Sequence, residues 1–381
     1  MVGHRAELLE AYAVADRRVG RTKIRILFSV FRIQLERPVF ENQKARGSEV
    51  NVKSYAKVGA VFGAAALGLG ILTSPAVADP TPVTDYRQLA GVGSDTTQFV
   101  MNGLSESSAV TNAGGKIIAS WNALGTTTIK TKATGCDTVA RPDGSSAGIS
   151  ALNADLAANT HCIDFARSSR GPADTSTSDL TFIPFAKDGV TYATDLGNTL
   201  PTNLTTVQLA AIYKCQSTEF PNAQPLLLQA GSGTRAFWLK TLNMTEGDLG
   251  SCVDGTIQEH NGEAIVNANQ LMPYSIAQWI SQGQGFADVP NRRGESRLRN
   301  INGTAPTTGS GTSIKLNLAF TPNFLRNVYN VVPTANLTNS VVAETFVGST
   351  SKVCSDTTTI TKYGFGTLDT LCGDTSTKAE S

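Results

Sequence analysis

Short apolar runs recur along this chain, each followed by a glycine-containing turn and then by a segment whose apolar positions return at helical spacing. The runs predict strands at residues 88–92, 116–121, 162–166, 181–186 and 224–229. The periodic segments predict helices at 97–105, 148–156, 205–213, 234–242 and 275–282. No internal repeat of fixed period is visible, and strand, glycine turn, helix is the recurring unit, which predicts an α/β protein.

Three of these turns share one chemistry. Gly91-Val92-Gly93-Ser94-Asp95-Thr96, Gly144-Ser145-Ser146-Ala147-Gly148 and Gly231-Ser232-Gly233-Thr234 each place glycine and hydroxyl residues at a helix start. Glycine lets a ligand approach the backbone, the first N–H groups of a helix lack intrahelical partners, and the helix dipole favours negative charge there. Any one of them reads equally as an ordinary N-cap. Three in one chain predict a cradle for an anion.

Charge and cysteine change the picture next. Lys53 and Lys57 precede an apolar stretch, 58–72, that ends in Ala76-Val77-Ala78, the layout of a secretory signal peptide cleaved after Ala78. The stretch is shorter than the roughly 20 apolar residues of a spanning helix, so no stable membrane insertion is expected. Residues 50–78 are read as the signal and 1–49 as a non-native extension, with the true start at Val50. Removing residues 1–78 leaves 20 Lys+Arg against 25 Asp+Glu, a net charge of −5. Without a basic footprint, nucleic-acid binding is excluded.

Cys136, Cys162, Cys215, Cys252, Cys354 and Cys372 all follow Ala78, and an even number in an exported chain reads as disulfides. Many connectivities are open; neighbours in sequence close the shortest loops, which favours 136–162, 215–252 and 354–372. With no CxxC pair and only His161 and His260 beyond residue 78, neither a metal site nor a cofactor is expected. Some 300 residues exceed what one core usually holds, so two lobes are expected. Asp79 follows the cleavage site where a lipid-anchored protein would carry cysteine. A secreted or periplasmic monomer without a lipid anchor is therefore expected.

Taken in order, several motifs resemble the phosphate-binding components of bacterial ABC importers and their relatives with the type II periplasmic-binding fold. They are the GVGSDTT loop, Gly144-Ser145-Ser146, Ile163-Asp164-Phe165-Ala166 with Ser168-Ser169, Phe182-Ile183-Pro184-Phe185, Gly231-Ser232-Gly233-Thr234 and Pro273-Tyr274-Ser275-Ile276-Ala277. The resemblance implies a two-lobed fold with a hinge and an interlobe ligand cleft, lobe one from 79–186 and 301–381 and lobe two from 187–300. Residues 181–194 would cross to lobe two and a segment near 293–301 would return. It implies an oxyanion ligand, phosphate foremost, and an ABC importer permease as partner. The ligand set it implies is Ser94, Asp95, Thr96, Ser145, Ser146, Ser169, Arg170, Ser232, Gly233, Thr234 and Arg235.

The pattern departs from the family's phosphate binders at three positions. Leu228 stands where they carry arginine, Ala230 where they carry an acidic residue, and Ser169 where they carry a proton-accepting aspartate. Asp95 could take the proton, and Arg167, Arg170 and Arg235 could return the positive charge, with Arg170 the foremost candidate.

Two other readings compete. Gly144-Ser145-Ser146-Ala147-Gly148 also fits G-x-S-x-G, making Ser146 a hydrolase nucleophile with His260 as its base. Against this, the segment before it is a poor strand, and His260 lies in a polar run where exposure is expected; no catalytic residue is assigned. The third reading is a surface protein of the same fold that has lost its ligand.

Overall fold

A computed structural model describes residues 79–381. The signal segment and the extension before it lie outside the described residues. The principal strands are β1 Leu89–Gly93, β2 Ile118–Ser120, β3 Phe165–Ser168, β4 Leu180–Thr194, β5 Gln224–Leu228, β6 Asp254–Ile257, β7 Gln270–Ser275 and β8 Leu325–Pro333. The principal helices are α1 Gln98–Glu106, α2 Ser145–Ala158, α3 Thr206–Tyr213, α4 Gly233–Thr241 and α5 Ile276–Gly283.

The strands lie in the order β6-β5-β7-β4-β8-β3-β1-β2. Two parallel trios, β2-β1-β3 and β6-β5-β7, sit at the two ends. Between them β4 and β8 run antiparallel to each other, paired from Leu180↔Pro333 to Gly189↔Leu325. The far half of β4 pairs with β7 and the far half of β8 with β3, so each long strand belongs to both ends of the sheet. This is a two-lobed α/β fold with two crossing strands.

Side-chain alternation builds a core on each face of each lobe. In lobe one, Phe165, Ile183 and Val332 face one cluster while Ala166, Phe182 and Val331 face the other. In lobe two, Tyr192, Leu227 and Leu271 separate in the same way from Ala193, Leu228 and Met272. Both faces are covered, which is why these strands read as continuous apolar runs.

The crossing to lobe two is β4. The return differs from the expected 293–301: it is β8, Leu325–Pro333. Residues near 293–301 form only the short pieces Arg297–Leu298 and Asn300–Ile301, while Ile301, Leu316, Phe320 and Phe324 complete the second lobe's core beside Trp238. A crossing strand needs a ladder long enough to serve both lobes, and β8 supplies one, with a single register shift between Val328 and Tyr329. The strand expected at 162–166 begins three residues later, because Asp155 takes the N–H groups of Cys162 and Ile163.

Disulfides join Cys136–Cys162, Cys215–Cys252 and Cys354–Cys372, the shortest-loop set. Among the described residues no helix is long and apolar enough to cross a membrane.

Candidate functional site

The carboxyl ends of the parallel strands of both lobes converge on one seam, the place where open α/β sheets hold ligands. From lobe one come Ser94-Asp95-Thr96 after β1, Ser169-Arg170 after β3, and Gly144-Ser145 at the start of α2. From lobe two come Ser232-Gly233-Thr234 at the start of α4 and Gln258-Glu259-His260 after β6. Ser232 caps α4, its Oγ accepting from Arg235 N at 3.0 Å.

The two glycine turns touch. The α2 N–H of Ser146 donates to Gly231 O at 3.2 Å. Gly144 has φ of 108° and lies against Gly231, and Gly233 lies against Ser145 and Ser169, with no space for a Cβ at either glycine. Ser169 N donates to Ser145 Oγ at 2.9 Å, and the two hydroxyls are 3.2 Å apart. Two helix N-termini, one from each lobe, therefore meet around the Ser145 and Ser169 hydroxyls.

Next to them the lobes are bonded through Thr96, whose Oγ1 lies 3.0 Å from Thr234 Oγ1, 3.0 Å from Glu259 Oε2 and 3.1 Å from His260 Nε2. Gln278 Nε2 donates to Thr96 O at 2.5 Å. Gln258 bridges Asp95 and Asp143, at 3.3 and 3.2 Å. Burial raises the Asp95 carboxyl, with His260 and Arg292 opposing, and Arg292 Nη2 lies 3.8 Å from Asp95 Oδ2. Burial also pushes Asp143 up, to about 6. For Glu259 burial acts upward, yet the His260 hydrogen bond and charge outweigh it and hold the carboxyl below its usual range.

Of the expected ligand groups, Asp95, Thr96, Ser145, Ser169, Ser232, Gly233 and Thr234 lie buried at this seam, and Ser94 is buried beside them. Ser94 Oγ, Asp95 Oδ1 and Glu259 Oε1 have no hydrogen-bond partner among the described residues. Arg170 is next to the seam, its Nε donating to Ser146 Oγ at 3.0 Å. Arg235 does not join: its guanidinium turns to Glu246, Leu228 O and Gly255 O. The helix direction sets this, since Arg235 follows Thr234 on α4 and projects to the opposite side. Arg167 is fully buried beneath the first loop, bonding Ser94 O, Gly91 O and Ser120 Oγ. Burial pushes that guanidinium down to about 9, and it props the loop from below.

His260, expected to be exposed, is wholly buried. Its Nε2 meets Thr96 and Glu259, while Ser146 pairs with Arg170, so the two residues of the hydrolase reading sit on different partners.

No family model and no curated protein matches the chain. Among solved structures it is similar to an ABC-type phosphate transport receptor from Vibrio cholerae, at 17% identity and a TM-score of 0.49 over 74% of this chain and 100% of that one. PstS from Borrelia burgdorferi shares 16% identity at a TM-score of 0.40, covering 74% and 98%. A phosphate-binding protein from Stenotrophomonas maltophilia shares 11% at 0.43, covering 74% and 91%.

One residue that bonds into the seam from the return strand has no counterpart in the sequence reading. Arg326, on the return strand, donates from Nη2 to Thr234 Oγ1 at 3.0 Å and binds Asp188 Oδ2 through Nε and Nη2 at 3.1 and 2.8 Å. Asp188 also accepts from Ser275 Oγ and from Ala277 N at the start of α5. Leu325-Arg326-Asn327-Val328-Tyr329 does not alternate apolar and polar residues, so no period-2 strand signal pointed to Arg326.

Proposed function

We propose that this chain is an extracytoplasmic solute-binding protein whose lobes close on a small oxyanion, phosphate foremost, for delivery to an ABC importer. The observation that carries the reading is the meeting of the α2 and α4 N-termini, one from each lobe, around Ser145, Ser169 and Thr234 with Arg326 behind them. Helix-start N–H groups, hydroxyls and a guanidinium are the donors a tetrahedral anion needs, and a site split between lobes couples capture to closure. Asp95, whose carboxyl burial raises, could share a proton with monohydrogen phosphate and disfavour sulfate.

A second reading, a protein of this fold that has lost its ligand, is favoured by the direct bonds of Thr96 to Thr234, Glu259 and His260. Thermal unfolding against phosphate, sulfate, phosphonate, molybdate and tungstate separates the two. A binder gains stability with one anion by mass action, and the gain shrinks in Ser232→Ala, where one charge-assisted hydrogen bond fewer weakens affinity roughly ten- to a hundredfold. An unchanged melting temperature across the whole panel would leave the ligand-free reading standing.

A further inference from the structure

Next to the seam lies a cavity of about 640 Å³ that none of the seam carboxylates lines. Arg170, Lys187, Lys240 and Arg326 line it, with the rings of Phe237 and Tyr329, and no Asp or Glu does. These residues come from the turn after β3, from both crossing strands and from α4, so the cavity touches both lobes and the hinge.

Its charge is poorly compensated. Among the described residues, no carboxylate pairs with Arg170, Lys187 or Lys240; Lys187 Nζ donates to Asn327 Oδ1 at 2.7 Å and Arg170 to Ser146 and Gly171 O. Arg326 has Asp188, but its Nη1 is buried without a partner, and the residue is only 4% exposed. Burial holds the Arg170 and Lys187 cations below their usual ranges. Placing cations together away from counter-ions costs free energy that a bound anion would return. Beyond residue 78 the chain is acidic, so a general excess of base does not explain the cluster.

The volume speaks to ligand size. Small-molecule sites span roughly 300–1,000 Å³, whereas a water occupies about 30 Å³ and a tetrahedral oxyanion only a few times that. Aromatic faces at one side of a cationic pocket suit an anion with an organic body; Arg326 already lies over the Phe237 ring at 5.3 Å.

We propose that this cavity is a second ligand site, separate from the oxyanion cradle, for an organic phosphate ester, its dianionic head among Arg170, Lys187, Lys240 and Arg326 and its body against Phe237 and Tyr329. Since Arg326 also reaches Thr234, a ligand here would hold the crossing strands and α4 together.

Calorimetric titration of the disulfide-intact protein with phenyl phosphate tests this. One site is expected, with affinity falling as salt rises. Lys240→Gln, an exposed position without a partner, should weaken binding about tenfold, and Lys187→Gln similarly. Ser232→Ala should leave it unchanged, and saturating inorganic phosphate should not displace the ester. The proposal is overturned by absence of binding at millimolar ester, by an affinity in both lysine variants unchanged from the parent's, or by an equal loss in Ser232→Ala with competition from inorganic phosphate, which would merge the two sites. Inorganic phosphate binding that is lost in Lys240→Gln but kept in Ser232→Ala would also overturn it, by making this a site for the bare oxyanion. Because the ester is read separately, failure of the oxyanion reading leaves this outcome distinct.

Discussion

The two sides of the interlobe region draw their charged groups from different elements: the seam takes its carboxylates from the ends of parallel strands and the start of α2, and the hinge side takes its cations from the crossing strands, α4 and the turn after β3. At the seam, Asp95, Asp143 and Glu259 face hydroxyls, amides and one histidine, and the lobes bond directly across it. On the hinge side, Arg170, Lys187, Lys240 and Arg326 line one cavity, and of the four Arg326 alone pairs with a carboxylate, Asp188. At the seam Ser94 Oγ, Asp95 Oδ1 and Glu259 Oε1 are buried without a hydrogen-bond partner among the described residues, and on the hinge side Arg326 Nη1 is. Under the proposed function the seam hydroxyls would hold the anion with Arg326 behind them, and the bonds of Thr96 would set how firmly the lobes hold shut.

Arg326→Leu gives the largest expected effect, because it strands the wholly buried Asp188 without its counter-ion. A stability loss of about 3–5 kcal/mol is expected in a denaturant melt, together with loss of any anion-induced stabilisation. Arg170→Leu, which strands no carboxylate, should cost far less. Equal losses in the two would erase the distinction between a paired and an unpaired hinge-side arginine.

Thr96→Val comes next. It removes the hydroxyl shared by Thr234, Glu259 and His260, leaving buried polar groups short of one partner at a cost of about 1–3 kcal/mol. Small-angle scattering should show a more open protein. A stable variant of unchanged dimensions would show that Thr96 does not hold the seam.

The smallest effect is a pH dependence. Asp143 has its carboxyl raised to about 6 from an ordinary 3.8, so the folded state prefers it protonated. Its contribution is fully present below pH 4 and is lost as pH rises through about 6. Asp143→Asn mimics the protonated form, so it should match the parent at pH 4 and exceed it at pH 7 by on the order of 1 kcal/mol, discounted for partial exposure. A variant no more stable than its parent at pH 7 would remove the carboxylate penalty from the seam.

Much of the cradle was legible because helix starts are local. Ser232 was readable from contiguous glycine and hydroxyl residues because its capping of α4 needs no distant partner, whereas Ser145 and Thr234 bond through their hydroxyls to Ser169, Thr96 and Arg326 far along the chain. Arg235 was misplaced by the same local reading, since its neighbour on α4 points inward and it does not. Glu259 and His260 were hidden in a polar run whose burial depends on contact with Thr96, 163 and 164 residues away.

By itself, the sequence determined the succession of strand, glycine turn and helix, the caps, and the shortest-loop disulfides, all of which depend on residues near one another along the chain. The tertiary structure alone decided that Leu325–Pro333 is the return strand, that Arg326 meets Asp188 across 138 residues, and that Arg170, Lys187, Lys240 and Arg326 line one cavity. Strand pairing at such separation is selected by the fit of whole apolar faces, and no local pattern records which charge that fit will bury against which.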